Sequence, residues 1–187
     1  MSNTTLTAID GLLAGHATDD RNHTGCTAIL CPQGFTPGIA VPGFAPGCRE
    51  TELMRPESQV DTVHGLLAGG SAFGLAAADG VMRFLREQGH GFAMPHGVIP
   101  IVPGAVIYDL DMNARPGVLP DADMGYAAAR AASKRAVSCA LARLAASSCC
   151  SFCACWARPR VCCRASRAVS FSARWAASRV SSVSCRA

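Results

Sequence analysis

The chain has 187 residues, 50% of them hydrophobic and 16% charged, with a formal net charge of +4. That length suits one domain able to bury roughly two-thirds of its unfolded surface. The charge joins two unlike segments: residues 1–136 hold nine Lys/Arg against thirteen Asp/Glu, net −4, whereas residues 137–187 hold eight Arg and no acid, so the mildly basic total says nothing about partners.

No run approaches the eighteen or so apolar residues that span a bilayer, so no membrane partner is expected. The start, MSNTTLTAIDGLLAGHATDD, lacks the basic n-region of a signal peptide. The cytoplasm is therefore the expected compartment, where Cys26, Cys31 and Cys48 stay reduced.

In chain order, His16, Asp19, Asp20 and His23 carry ligand-type side chains, but their spacing suits a polar loop between strands rather than a metal site. Residues 24–31 (TGCTAILC) are β-branched and apolar and stop at Pro32-Gln33-Gly34, which reads as a strand entering a turn. Residues 38–44 (GIAVPGF) form a weaker strand candidate because Pro42 lacks a donor. After a polar loop, Pro56, Glu57 and Ser58 precede Val60, Val63, His64 and Leu67, a spacing that predicts a helix.

Residues 69–91 read as a buried helix introduced by a Gly-Gly-Ser turn. Phe73, Ala76, Ala77, Gly80, Val81, Phe84 and Leu85 recur at helical spacing, and Gly89 supplies the stop. The small residues Ala76, Ala77 and Gly80 suit close approach to a neighbour. His90 and His96 bracket a further loop. Residues 98–110 (VIPIVPGAVIYDL) read as two extended pieces divided by Pro103-Gly104, with Val106, Tyr108 and Leu110 on one face. A last helix is expected from the N-cap Asp121 through Ala131.

Two features invite chemistry. The turn at Gly70 and Ser71 lacks the G-x-S-x-G pattern of a nucleophile elbow, because position 73 is Phe. Turn formation and helix capping are the plainer roles there, with binding of an anion or carbonyl oxygen through backbone N–H groups as the functional one. Tyr108 reads either as a core tyrosine or as a rigid phenol that donates to a developing oxyanion, and the pattern leaves both open. No G-x-G-x-x-G or G-K-[ST] is present to support a nucleotide fold.

The segments TGCTAILCPQG, PGCRETELMRPES, LLAGGSAFGLAAADGVMRFL, VIPIVPGAVIYDL and PDADMGYAAARAAS, in that order, resemble the N-terminal part of the self-processing serine aminopeptidases. That family includes L-aminopeptidase D-esterases, β-peptidyl aminopeptidases and a nylon-oligomer hydrolase. The resemblance covers about residues 8–133.

It implies an α/β fold, part of a four-layer αββα sandwich, and acyl transfer from small peptide, amide or ester substrates without metal or organic cofactor. The nucleophile would be a Ser or Thr at the N-terminus of a second chain released by self-cleavage, with its own α-amino group as base. By the resemblance, Tyr108 stabilises the oxyanion, Gly70 and Ser71 lie by the substrate pocket, and the full-length form is a homo-oligomer. The family continues with a Gly-rich segment holding a lysine, an oxyanion asparagine and the self-cleavage site. This chain has no Gly after Gly125, and Lys134 has no Gly-rich surroundings.

The organisation expected is an aminopeptidase-like segment over residues 1–135 and an irregular or disordered Cys/Arg/Ser-rich tail over 136–187. Cys150 and Cys153 make one C-x-x-C pair, but the crowding of Cys149, Cys155, Cys162 and Cys163 does not match zinc spacing. A disulfide framework conflicts with the missing signal peptide. Arg contacts to phosphate lack an ordered aromatic platform, so no nucleic-acid partner is expected. The tail composition, dominated by Ala, Arg, Cys and Ser, fits GC-rich codons read in a shifted frame. The rival reading is a non-catalytic protein whose tail binds nucleic acid or metal.

Overall fold

The computed structural model describes residues 5–41, 45–58, 60–112 and 117–133; the expectations for residues 136–187 lie outside these. Strands β1 (Leu13–Asp19) and β2 (Thr24–Leu30) form an antiparallel hairpin in which His16 faces Thr27. Asp19 closes the turn: its Oδ1 accepts the N–H groups of Arg21 and Asn22 at 3.0 and 3.1 Å, while its Oδ2 accepts from Asn22 Nδ2 at 2.6 Å. Short local bonds of this kind are what Asp offers a turn.

Strands β3 (Cys48–Arg49) and β4 (Gly65–Ala68) follow. A 3₁₀ helix over Ser71–Ala76 runs directly into α1 (Ala77–Glu87). The hairpin β5 (Phe92–Met94) and β6 (Gly97–Ile99) then leads to β7 (Gly104–Val106) and α2 (Ala122–Arg130). As the sequence predicts, Asp121 caps α2, its carboxylate accepting the N–H of Met124 at 2.9 Å.

The main sheet has the order β1-β2-β4-β7-β3, antiparallel throughout except for the parallel pair β4 and β7. Cys26, Ala28, Leu30, Leu66 and Ala68 on one sheet face meet Ala77, Val81, Leu85, Ala128 and Ala129 from the two helices. Burying each large apolar side chain of this set stabilises the fold by about 1.5–3 kcal/mol. The helices approach backbone to backbone: a Cβ at Gly80 would overlap the carbonyl of Ala122, and one at Gly125 that of Ala77. One helical layer on one sheet makes two of the four layers of an αββα sandwich.

Several expectations are corrected. The helix predicted around Val60–Leu67 is absent; β4 occupies its second half, and Val63 forms an isolated bridge with Ile101. Pairing on both sides, with β2 and β7, outweighs a short apolar run that fits either period. Residues 38–41 form no strand, consistent with proline at 37 and 42; residues 42–44 lie outside the described set. His16 and Asp19 belong to β1 rather than to a loop. Phe73 is 64% exposed instead of buried, because the first turn is 3₁₀ and turns that position outward, and Ala76 is also exposed.

Candidate functional site

The start of β2 and the ends of β4 and β7 lie side by side at one edge of the sheet, since Cys26 pairs with Ala68 and Ala68 with Val106. The chain leaves β4 through Gly69, Gly70 and Ser71. Gly70 and Ser71 both have positive φ, 78° and 54°, a conformation costly for a residue with a Cβ. Such a double left-handed step reverses the chain within two residues and aims it into the helix.

That turn is stitched to the segment leaving β7. Ile107 donates its N–H to the carbonyl of Ala68 at 2.9 Å, and its own carbonyl accepts the N–H of Ser71 at 2.9 Å. The N–H of Gly69 donates to the carbonyl of Gly25 at 2.9 Å. The N–H of Gly70 donates to Asp109 Oδ1 at 2.6 Å, and the hydroxyl of Thr24 donates to Asp109 Oδ2 at 2.8 Å. The backbone N–H groups of Gly70 and Ser71 are therefore committed inside the protein, and the turn meets its surroundings through its outer surface.

Tyr108 sits between Ile107 and Asp109. It lies beyond the end of β7 and is 44% exposed, so the core reading of this residue is overturned. The strand alternation expected for Val106, Tyr108 and Leu110 breaks, because Leu110 already belongs to a 3₁₀ turn. The phenol donates to Asp111 Oδ1 at 2.9 Å. That bond, with burial and the Asp111 charge adding to it, pushes the phenol above its ordinary range and keeps it a proton donor at neutral pH.

The structure thus places the backbone of Tyr108 next to the Gly70–Ser71 turn, through the bonds of Ile107 and Asp109 on either side of it. Asp109, which sequence reasoning passed over, bonds that turn through its side chain. The available signal was a single acid in an otherwise apolar stretch, GAVIYDL, matched by a Gly-Gly pair with room for it.

The histidines separate. His16 Nδ1 lies 2.8 Å from Thr27 Oγ1, and His64 Nδ1 accepts the N–H of Cys31 at 3.1 Å. Burial lowers the pKa of both, that of His64 to about 4 with the charge of His90 contributing. His90 donates its N–H to the carbonyl of Leu85 at the end of α1. Among the described residues, no group of three or more His, Cys, Asp or Glu is placed to hold a metal ion, and no helix is long and apolar enough to cross a membrane.

Comparison with known proteins places this framework. The profile of peptidase family S58 matches residues 4–141. An uncharacterized aminopeptidase of Mycobacterium bovis is 54% identical over 112 residues, 58% of this chain and 31% of the relative. One from Mycobacterium leprae is 50% identical over 117 residues, 60% of this chain and 31% of the relative. The chain therefore spans about a third of the length of these relatives. A solved β-aminopeptidase of a Burkholderia species superposes with a TM-score of 0.54 at 21% identity, covering 74% of this chain and 40% of that one, and shares its fold. With the Gly-Gly-Ser turn and the Tyr-Asp segment inside the matched residues, the chain belongs to peptidase family S58.

Proposed function

We propose that this chain is the N-terminal portion of a self-cleaving serine aminopeptidase that removes N-terminal residues from small peptides, amides or esters by acyl transfer. Membership of the family supports the reaction class, and the names of the mycobacterial relatives agree with it. The observation that carries the reading is the placement of Tyr108: a protonated, 44% exposed phenol on backbone locked to the Gly70–Ser71 turn.

In this mechanism a Ser or Thr supplied by the second half of the enzyme attacks the substrate carbonyl, its hydroxyl proton passing to its own α-amino group and on to the amine or alcohol that departs as the carbon–nitrogen or carbon–oxygen bond breaks. Tyr108 turns its single O–H from Asp111 to the developing oxyanion, and Gly70 and Ser71 border the bound substrate. Water then releases the acyl group. A donor of this kind is worth about 10²- to 10³-fold in rate. The 187-residue polypeptide taken by itself does not turn over, because the nucleophile comes from the other half, and residues 136–187 represent a shifted reading frame.

The test begins with the coding DNA from the Ser133 codon onward, translated in three frames. A second frame that restores a Gly-rich segment, a lysine and a later self-cleavage Ser or Thr supports the reading. Tyr108→Phe in the restored enzyme is then expected to lower kcat about 10²- to 10³-fold. Aminopeptidase turnover by the purified 187-residue chain, abolished by Tyr108→Phe, overturns the claim that this polypeptide is inactive alone.

A further inference from the structure

A carboxyl group taken out of water costs several kcal/mol unless its oxygens find donors. Asp109 is 1% exposed, and among the described residues no Lys or Arg pairs with it. Its two oxygens are divided between two neutral donors from distant parts of the chain: Thr24 at the start of β2 and Gly70 at the exit from β4.

Thr24 is itself fully buried, so its hydroxyl has no water to turn to if the carboxyl leaves. Space has been kept for the group as well, because a Cβ at Gly69 would overlap both Asp109 Oδ2 and Thr24 Oγ1. This is a built arrangement, and its one exposed neighbour in sequence is Tyr108.

We infer that Asp109 is a positioning residue that fixes Tyr108 against the Gly70–Ser71 turn. The two backbone bonds of Ile107 hold one side of Tyr108, and the Asp109 carboxyl holds the other through Gly70 and Thr24. With both sides pinned, Tyr108 keeps a single backbone placement beside the turn, and its side chain has only its own rotations to search. Pre-ordering of this sort is what an oxyanion donor requires. The inference rests on the reading of Tyr108 given above, and it concerns how that residue is held rather than what it does.

The chain contains two tyrosines, which gives the experiment its internal control. Tyr126, on α2, packs edge-on against Phe84 with ring centroids 5.7 Å apart and donates to Glu87 at 2.7 Å, away from Asp109. The full 187-residue chain is labelled at tyrosine and its ring resonances are followed by NMR across a pH titration.

In Asp109→Ala the Tyr108 signals are expected to shift, and its phenol to titrate closer to the ordinary value, because the freed segment no longer holds the hydroxyl on Asp111. The Tyr126 signals stay in place. Asp109→Asn is expected to restore the wild-type Tyr108 signals, since its amide oxygen still accepts from Gly70 and its NH₂ donates to Thr24 Oγ1.

Unmoved Tyr108 signals in Asp109→Ala, or equal displacement in the Ala and Asn variants, overturn the inference. Should Asp109→Ala disturb Tyr126 as well, Thr24→Val decides: it deletes one of the two bonds at nearly constant volume. It is expected to move Tyr108 in the same direction by less, and no movement overturns the inference. None of these readouts needs turnover, so a failed aminopeptidase assay and a failed positioning role are separate results.

Discussion

The N–H of Gly70 donates to Asp109 Oδ1 at 2.6 Å across thirty-nine residues of sequence. With the Thr24 hydroxyl on the other oxygen, this one carboxyl ties three strand ends into a single edge. The exposed Tyr108 and the left-handed Gly70–Ser71 step both lie at that edge. What makes the region a candidate site is the combination of rigid backbone underneath and an accessible phenol on top.

Gly69 should tolerate no side chain. In Gly69→Ala the new methyl would displace the Asp109 carboxyl, adding overpacking to the loss of two buried hydrogen bonds, about 3 kcal/mol together. Gly38→Ala meets nothing within 4 Å at an ordinary φ and should change stability by less than about 0.5 kcal/mol. Denaturant unfolding of the two variants measures the difference.

The parts of the fold written locally were legible. Asp121 and Met124 lie three residues apart and make the cap of α2 by themselves, and the period of Ala77, Val81 and Leu85 marks the buried face of α1. The parts written by pairing were not. β4 is four residues whose apolar pattern fits a helix equally well, and only β2 and β7 on either side make it a strand. Asp109 is the same case at the site: nothing near it in sequence announces Thr24 or Gly70. The resemblance supplied Tyr108, but its exposure came from the strand ending at Val106, four residues before the Leu110 to which the alternation runs.

The contact between α1 and α2 depends on glycine more than on charge. Gly80→Val sets a branched side chain against the Ala122 carbonyl and should cost about 3 kcal/mol or more, since backbone has to move. Arg83 lies 4.6 Å from the centre of the Tyr126 ring and pairs with Asp123 at 2.8 Å, but both partners of that pair are largely exposed. Arg83→Met should therefore cost less than about 1 kcal/mol. Thermal unfolding of the two variants side by side tests the ranking.

The described cysteines should differ sharply in reactivity. Burial pushes the Cys26 thiol up to about 12, with the Asp121 charge contributing, and the Cys31 thiol to about 11. At pH 8 a thiol shifted to 12 is about one part in 10⁴ thiolate, and the thiolate is the nucleophile. Cys48 is only half-buried. Alkylation of the native chain, resolved peptide by peptide by mass spectrometry, should label Cys48 first and reach Cys26 and Cys31 only after denaturation.

His64 should make stability depend on pH. It is 4% exposed, its Nδ1 accepts the Cys31 N–H, and among the described residues its buried Nε2 has no partner. Protonating Nδ1 would break the bond to Cys31 and place a charge in an apolar site. Its pKa falls from 6.5 to about 4 on folding, so between those values the unfolded chain binds the proton and the folded chain does not. Stability is then fully present above pH 6.5 and is lost as pH falls toward 4, by at most about 3 kcal/mol. His64→Asn keeps an acceptor near the Cys31 N–H and cannot titrate. Its unfolding free energy should be flatter than wild type between pH 6.5 and 4, with the residual slope coming from groups such as His16, whose pKa is also lowered by burial. Identical slopes in the two proteins would show that the His64 proton is not coupled to folding.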